Sequence, residues 1–384
     1  MNTLNCMMAG MGLLTCMAGM SWAEPAPAGP PKAESPAVKS VSGPFTQGNL
    51  TIFLLHGADV LPGKTILTLQ EALTEKKAVV HETSQVNELS VENTSGDALL
   101  FIQSGDIVKG GKQDRAIAFD MLLPPKSGKV PIGSFCVEHG RWQQRGGEAA
   151  ALFAGSTAQI SGKELKGAVI GNNAMKQGEV WQEVSNTQAK LSKSAGKPIA
   201  AAASPSSLQL SLEDKQLNEK LTAYEKALVG AVDGKSDVIG MALCVNGNVT
   251  GAEVYGSAAL FRKLWPKLLK SAATEAMADL DEKKKFEPAT AKAVDAFMAE
   301  AAAGAANEVQ MAAAPRQQAG QQQVGINEAL GGRPNVPQQA PNVAQSTPAR
   351  VRIVRYDGKK ALLIESQDKE GAMPAVVHRC YIAK

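Results

Sequence analysis

The sequence lacks an excess of charge of either sign. Lys and Arg number 40 against 37 Asp and Glu in 384 residues, a formal net charge of +3, and no basic block occurs. Nucleic-acid binding depends on a concentrated positive patch, so no nucleic-acid partner is predicted. Aromatic residues are scarce at 4%, which indicates that part of the chain is not packed. Apolar residues nevertheless reach 44%, enough for a core, which excludes a wholly disordered chain.

Long hydrophobic runs are also missing, apart from an uncharged stretch near the amino terminus. Met7–Met20 is too short and too rich in glycine for a membrane span of about 20 residues, so no stable span is predicted. The length of this stretch is typical of a signal peptide, and Ser21 and Ala23 put small residues at positions −3 and −1 of a cleavage site. We therefore expect an exported protein, periplasmic or secreted, with residues 1–23 as its signal peptide.

Two other interpretations of this leader stay open. No Lys or Arg precedes the apolar stretch, so a disordered, Met-rich leader on a cytoplasmic protein is one alternative. Leu13–Cys16 resembles a lipoprotein cleavage site, but Thr15 directly before the cysteine fits that motif poorly.

Cysteine is too sparse for a scaffold held together by disulfides. Cleavage after residue 23 removes Cys6 and Cys16 and leaves Cys136, Cys244 and Cys380. Three is an odd number, so at most one disulfide can form and the fold must depend on apolar burial.

Composition divides the rest of the chain into ordered and low-complexity segments. Pro, Ala and Ser dominate residues 24–48, which are predicted to be a disordered tether, and Ala, Gln and Pro dominate residues 300–348, which are predicted to be a disordered insert. Residues 49–299 form the predicted domain, with a flexible break near residues 194–207. Residues 349–384 are predicted to add C-terminal strands that complete it.

The order of predicted elements indicates the fold class. Short apolar runs separated by turn residues fill the first half, and Asn246-Gly247 between two such runs is a strong hairpin signal. Leucine stripes predict helices over residues 212–232 and around residues 258–269, where Pro266 should cause a kink or start a second helix. A third helix is predicted over residues 173–192. Without βαβ alternation, the chain is predicted to be α+β, with an antiparallel β-rich N-terminal half and helices packed from the C-terminal half.

The densest polar stretch is Gly105–Arg115, with the sequence GDIVKGGKQDR. It fails as a P-loop because Gly111 stands where Lys is required and because a strand follows instead of a helix. Two adjacent glycines still let backbone N–H groups face an anion, with Lys112 and Arg115 nearby. The alternative is a glycine turn with solvated charges.

A second polar stretch, CVEHGRW, covers Cys136–Trp142. Side chains alternate along a strand, so Cys136 and Glu138 should share one face while His139 points to the other. A buried carboxylate needs a partner, and Arg115 or Arg141 could pair with Glu138. A carboxylate near a glycine turn is also a candidate acid or base.

Metal binding at this stretch is an alternative. Cys136 and His139 could join His378 and Cys380 as four zinc ligands, but their spacing matches no familiar zinc site. No metal and no cofactor are therefore predicted.

Four blocks of the sequence resemble a known domain family, and they occur in the family's order between about residues 49 and 279. The blocks are Gly105–Arg115, Cys136–Trp142, Gln177–Trp181 and Phe261–Leu269. They are similar to the ARG and rhodanese-phosphatase superfamily-associated protein domain, where ARG stands for ADP-ribosylglycohydrolase. Val377–Arg379 look like the last element of the family, whereas the leader and the Ala/Gln-rich insert depart from its pattern.

The resemblance implies a shared polar site built from the glycine turn and the end of the strand before Trp142. Family members often carry Gln at the position of His139, which implies that His139 is not an essential base. The family name records association with ADP-ribose and phosphate chemistry rather than a reaction.

Two functional classes stay open, and whether the protein is an enzyme is undecided. In the first, it binds or transforms an anionic small molecule, nucleotide-like or ADP-ribose-like. Guanidinium groups match phosphate geometry, so the anion would be held by Lys112, Gln113 and Arg115, with Glu138 as the catalytic or orienting carboxylate and Arg141 and Trp142 closing the pocket. In the second, it is a non-enzymatic envelope protein, in which these residues form an internal ion-pair network and Trp142 is a packing anchor. The first class requires Arg115 and Glu138 to meet in one pocket.

The leader gives the first testable prediction. Mass spectrometry of the mature protein is expected to find an amino terminus at Glu24, because the signal peptidase would cut after Ala23. A mature protein that retains Met1 would contradict export by this route.

Overall fold

The structure is a computed structural model that describes residues 33–170, 176–281, 283–309, 350–370 and 374–384. The strands in chain order are β1 (Val38–Gln47), β2 (Leu50–Gly57), β3 (Ile66–Thr68), β4 (Ala78–Gln85), β5 (Glu88–Asn93), β6 (Leu99–Ile102), β7 (Asp106–Gly110), β8 (Arg115–Ile117), β9 (Met121–Leu123), β10 (Lys129–Cys136), β11 (Phe153–Gln159), β12 (Val238–Val245), β13 (Asn248–Tyr255), β14 (Ala305–Val309), β15 (Val351–Asp357), β16 (Ala361–Asp368) and β17 (Ala375–Ala383). The helices are α1 (Leu69–Thr74), α2 (Lys163–Val169), α3 (Gln177–Ala195), α4 (Leu208–Leu212), α5 (Lys215–Leu228), α6 (Ala258–Ala278) and α7 (Ala291–Ala302), and a 3₁₀ turn spans Val229–Val232.

These strands form three sheets within the described residues. The largest has eight strands in the order β1-β2-β12-β13-β17-β16-β15-β14, and every pair in it is antiparallel. A six-stranded sheet has the order β11-β7-β8-β10-β5-β4, and a small sheet, β3-β6-β9, contains one parallel pair, β3 with β6. The predicted α+β class with a β-rich N-terminal half is therefore confirmed.

The strand β2 shows how the large sheet separates two apolar cores. Leu50, Ile52 and Leu54 pack in the core that contains the apolar faces of α3, α5 and α6. Phe53 and Leu55 point the other way, into a core that α7 covers. Because successive side chains of a strand alternate between faces, a strand buried on both faces reads as a continuous apolar run.

The predicted hairpin at Asn246-Gly247 joins β12 to β13. Both turn residues have positive φ angles, 54° and 78°, as a type I′ turn requires. The hairpin places two central strands of the large sheet next to each other.

Helix α6 runs without interruption through Pro266, so a second helix does not start there. It begins after Ser257, whose side chain accepts a hydrogen bond from the Leu260 amide, and Leu264 and Leu268 on its apolar stripe are buried. The free energy gained by burying this stripe exceeds the cost of the one backbone hydrogen bond that proline cannot donate. No helix in the described part of the chain is long and apolar enough to cross a membrane.

The disordered tether predicted for residues 24–48 is wrong for residues 38–47. Residues 38–47 form β1, which pairs along its length with β2. Its Ser, Thr and Pro content is typical of a linker, but the partner strand supplies the hydrogen bonds that the composition alone does not predict. Residues 24–32 lie outside the described part of the chain.

The disordered insert predicted for residues 300–348 is wrong for residues 300–309. Helix α7 extends to Ala302, which agrees with the high helix propensity of alanine, and β14 pairs with β15. The break predicted near residues 194–207 is an ordered connection from α3 to α4, with Ile199 and Ser207 buried. Residues 310–348 lie outside the described part, whereas β15–β17 belong to the large sheet.

A buried cluster of charges connects the C-terminal strands to the rest of the fold. In this His378 cluster, the Nδ1 and Nε2 atoms of His378 lie 2.8 Å from Asp120 Oδ2 and 2.8 Å from Glu253 Oε2. Lys166 Nζ donates to the other oxygen of Glu253 at 3.1 Å. Burial opposes a charged imidazole, but the two carboxylates outweigh it and raise the pKa of His378 to about 9.

This raised pKa predicts a loss of stability in alkaline solution. An unfolded histidine has a pKa of about 6.5, so His378 stabilises the fold fully below about pH 6.5 and ceases to do so as the pH rises through 9. Urea unfolding is expected to give a free energy of unfolding lower by about 3 kcal/mol at pH 9 than at pH 6.5. The exposed His139 offers a control: His139→Gln should keep this dependence and His378→Gln should lose it. A flat wild-type profile would contradict the charged His378.

Candidate functional site

The glycine turn and the end of β10 lie side by side. Cys136, the last residue of β10, pairs with Arg115 of β8, and the Val137 amide extends the ladder by donating to the Asp114 carbonyl at 3.0 Å. Gly111 has a φ of 52°, and a Cβ atom there would lie 2.2 Å from the ring of Phe153, so only glycine fits the turn.

Four charged side chains form a group beside this turn, which we call the carboxylate–arginine box: Asp114, Glu138, Arg141 and Arg145. Arg145 also donates to Glu148 Oε1 outside the box, at 3.2 Å through Nε and 3.0 Å through Nη2. Arg141 binds Glu138 through Nε and Nη2, at 2.6 and 2.7 Å. Arg145 binds Asp114 through Nη1 and Nη2, both at 2.9 Å, and its Nη1 also lies 3.3 Å from Glu138 Oε1. Both carboxylates are fully buried, and two positive charges balance two negative ones.

Every carboxylate oxygen of the box accepts two hydrogen bonds. Asp114 also accepts from the Gly110 amide at 3.0 Å and from Ser207 Oγ at 2.7 Å, and Glu138 accepts from the Asp114 amide at 3.0 Å. Burial alone would raise the pKa of Glu138, but the hydrogen bonds from Arg141 outweigh it and lower that pKa. An ionised carboxylate without a free lone pair is poorly suited to acid–base catalysis, so the predicted catalytic role of Glu138 gains no support from its geometry.

A different environment surrounds Arg115, whose side chain is 0% exposed. Its Nη1 donates to the Gln113 carbonyl at 2.8 Å, but Nε and Nη2 have no hydrogen-bond partner among the described residues. The nearest carboxylate oxygen in an ion pair with it, Glu82 Oε2, lies 3.7 Å from Nη2, too far for a hydrogen bond. A buried guanidinium with two unpaired nitrogens is unusual, because each unpaired buried donor costs about 1–3 kcal/mol.

Trp142 and Lys112 complete the surroundings of this guanidinium. The ring of Trp142 lies 5.5 Å from Arg115 Cζ and 5.3 Å from Lys112 Nζ, within the range of cation–π attraction. The Lys112 amide donates to Glu82 Oε2 at 3.1 Å, and its Nζ donates to Ser84 Oγ at 3.0 Å. We call Glu82, Lys112, Arg115 and Trp142 the Arg115 group.

The six residues predicted for the site therefore fall into two sets. Lys112, Arg115 and Trp142 meet in the Arg115 group, where Gln113 contributes its carbonyl oxygen. Glu138 and Arg141 instead neutralise each other in the box, and no ion pair of the described residues joins Arg115 to Glu138. The requirement that Arg115 and Glu138 share one pocket is therefore wrong, and an anion site can rest only on the Arg115 group. Of the two partners predicted for Glu138, Arg141 is correct.

Both sets lie near the buried thiol of Cys136. Burial is the main cause that raises the pKa of Cys136 to about 11, although the charge of Arg115 acts in the opposite direction. The thiol is therefore neutral and unreactive at physiological pH.

Two residues of the motif QGEVW hold the strand end in place from α3. Gln177 accepts a hydrogen bond from the Cys136 amide and donates to the Cys136 carbonyl, each at 2.8 Å. Trp181 Nε1 donates to the Glu138 carbonyl at 3.2 Å, and the ring of Trp181 contacts His139 edge to face. Gln177 thus supplies the donor and acceptor that a continuing strand would otherwise provide.

The zinc alternative for Cys136, His139, His378 and Cys380 is wrong. Both ring nitrogens of His378 are already bound to carboxylates in the His378 cluster. Within the described ranges, no group of three or more His, Cys, Asp or Glu side chains is arranged to hold a metal ion.

The comparisons with known proteins identify a domain family. The family described as the ARG and Rhodanese-Phosphatase-superfamily-associated Protein domain matches residues 39–331, about three quarters of the chain. The match contains the box, the Arg115 group and β1, and it ends before β15–β17, so the assignment of Val377–Arg379 to the family's last element stays a prediction. No curated protein and no solved structure matches the chain.

The box predicts that two nearby cations differ strongly in their contribution to the free energy of unfolding. Arg145→Met leaves Asp114 buried without its main counter-charge and should lower the free energy of unfolding by about 3–5 kcal/mol. Lys109→Met is the control, because Lys109 binds the partly exposed Glu213 and should contribute about 1 kcal/mol or less. Urea unfolding measures both changes. Equal losses in the two variants would show that the box does not stabilise the fold.

Proposed function

The chain belongs to the ARG and Rhodanese-Phosphatase-superfamily-associated Protein domain family, and we propose that it binds an anionic small molecule, nucleotide-like or ADP-ribose-like, at the Arg115 group. The observation that carries the proposal is the fully buried guanidinium of Arg115, with two nitrogens that lack hydrogen-bond partners among the described residues. Such donors weaken the unliganded fold, and an anion would satisfy them.

The residues of the Arg115 group have distinct proposed roles. Arg115 holds the anion, Lys112 adds a second positive charge, and Trp142 covers both cations with its ring. The Gln113 carbonyl orients the guanidinium through its hydrogen bond to Nη1. Together, Arg115, Lys112 and Glu82 carry one net positive charge, which favours a negatively charged ligand.

The carboxylate–arginine box has a positioning role in this proposal. Arg141 Nη1 donates to the Gly111 carbonyl at 3.1 Å and Nη2 donates to the Gly110 carbonyl at 3.3 Å, so the box fixes the turn that precedes Lys112. Glu138 acts through Arg141 and Arg145 rather than on a ligand.

Two further considerations support the ligand class and the location. The family description links the domain to the ARG and rhodanese-phosphatase superfamilies, whose names refer to ADP-ribosyl and phosphate chemistry. The leader with its small residues at 21 and 23 supports export, so we propose that the protein acts outside the cytoplasm.

A second candidate is a non-enzymatic envelope protein that presents a rigid domain. The box favours it, because all four carboxylate oxygens are satisfied and neutralised internally. On this alternative, Arg115 is a structural residue and no anion changes the stability of the fold.

A thermal-shift screen with Arg115→Met separates the two candidates. The probes are ADP-ribose, ADP, inorganic phosphate and Mg²⁺. A ligand that binds only the folded chain raises the free energy of unfolding by about 2.7 kcal/mol at a hundredfold excess over Kd. We expect at least one anion to raise the Tm of the wild type and Arg115→Met to abolish that rise, although the loss of the cation paired with the buried Glu82 also lowers the variant's own Tm.

The control for this screen is Lys109→Met, which removes a nearby positive charge that is already paired with Glu213. It should keep the ligand response. No response to any anion in the wild type, together with early melting of Arg115→Met, would favour the envelope protein.

A further inference from the structure

Arginine binds planar anions most specifically through two parallel N–H groups, and one such pair is Nε with Nη2. This chain uses that edge repeatedly. Arg141 takes both oxygens of Glu138 through Nε and Nη2, at 2.6 and 2.7 Å. Arg350 takes both oxygens of Asp368 in the same way, at 3.1 and 2.7 Å.

Arg115 has the same edge with no oxygen atoms bound to it. Its only hydrogen bond among the described residues is made by Nη1, so the two nitrogens without partners are Nε and Nη2, which form one edge. Unpaired donors at unrelated positions of a guanidinium could not bind one anion together. The two unpaired donors of Arg115 lie on one edge, so they can.

Glu82 is the carboxylate best placed to occupy this edge, and it is held away. Its Oε1 accepts from the Ser84 amide at 2.8 Å, and its Oε2 accepts from the Lys112 amide at 3.1 Å. These bonds fix Glu82 Oε2 at 3.7 Å from Arg115 Nη2, outside hydrogen-bond distance. Glu82 therefore leaves the edge of Arg115 open.

We infer that the Nε/Nη2 edge of Arg115 is a fork for an oxyanion, which binds two oxygens of one phosphoryl or carboxylate group. The inference rests on the proposed anion-binding function and specifies its ligand: a group with two acceptor oxygens in one plane, rather than any negative charge.

The ring of Trp142 lies over the guanidinium that carries this fork. Arg141 and Arg145, on either side of Trp142 in the sequence, are both anchored in the box, so the backbone of this loop is held in place. The Trp142 side chain itself is only half-buried, and its ring lies over Arg115. Rotation of this side chain would expose one face of the buried Arg115, so Trp142→Ala should speed phosphate association about tenfold or more.

The test uses the full-length protein with ¹⁵N-labelled arginine and three probes at equal ionic strength: inorganic phosphate, acetate and chloride. The Arg115 Nε–H signal is assigned by its disappearance in Arg115→Met. We expect phosphate or acetate to move it downfield and raise the Tm, and chloride, which has no pair of oxygens, to do neither. A response to phosphate alone identifies a phosphoryl ligand, and a response to acetate alone identifies a carboxylate.

Arg115→Lys separates the fork from simple charge attraction, because lysine keeps the charge but not the pair of parallel donors. The fork predicts at least a tenfold loss of phosphate or acetate affinity in this variant. Unchanged affinity would overturn the fork and leave the proposed function intact. If no probe moves the wild-type signal and no anion raises its Tm, both are overturned. Should Arg115→Lys not fold, the wild-type Nε–H signal decides, because an anion that raises the Tm without moving it overturns the fork.

Discussion

The fold around the candidate site depends on the mutual neutralisation of two buried carboxylates and two arginines. Asp114 and Glu138 are completely buried, and an uncompensated charge in such a place would cost more than most single contacts in a protein provide. Their partners come from the loop after β10, and Ser207 comes from the start of α4. The glycine turn, the strand end, that loop and α4 can therefore coexist only in one arrangement, because any other leaves a charge unpaired.

The His378 cluster follows the same rule at a second place in the fold. Asp120 and Glu253 are balanced by His378 and Lys166, again two negative charges with two positive ones. Some of the charged residues behind the near-neutral net charge of the chain are thus buried, and these neutralise one another locally. The Arg115 group is the exception near the site, with one net positive charge and two donors without partners among the described residues, and the proposed anion binding rests on this imbalance.

Local signals in the sequence were sufficient for some features and not for others. Asn246-Gly247 specified its hairpin because both residues tolerate positive φ, and the apolar stripe of α6 specified a helix despite Pro266. The strand β1 was missed because its Ser- and Thr-containing sequence has the composition of a linker. It becomes a strand by pairing with β2, which follows directly after the two-residue turn Gly48-Asn49, and this pairing does not appear in the composition of the segment.

The candidate site also combines residues that have a local signal in the sequence with residues that have none. The polar residues around the glycine turn and in Cys136–Trp142 do lie side by side, but their grouping depends on residues without a local signal. Glu82 lies on β4 and Gln177 on α3, each more than 30 positions from its partner, and only the fold brings them to Arg115 and Cys136. Arg145 lies just beyond the polar stretch, and Glu138 is contacted by Arg141 and Arg145 rather than by Arg115.

The position of β17 in the large sheet has a consequence for biosynthesis. This strand lies between β13 and β16, in the interior of the sheet, although residues 375–383 follow every other strand of that sheet in the chain. A ribosome must therefore synthesise almost everything else before the interior gap can close and His378 can reach Asp120 and Glu253. Until then β13 is an edge strand without its second neighbour. The nascent chain therefore stays incompletely folded for nearly the whole of its translation. An incompletely folded polypeptide can still pass through a narrow channel.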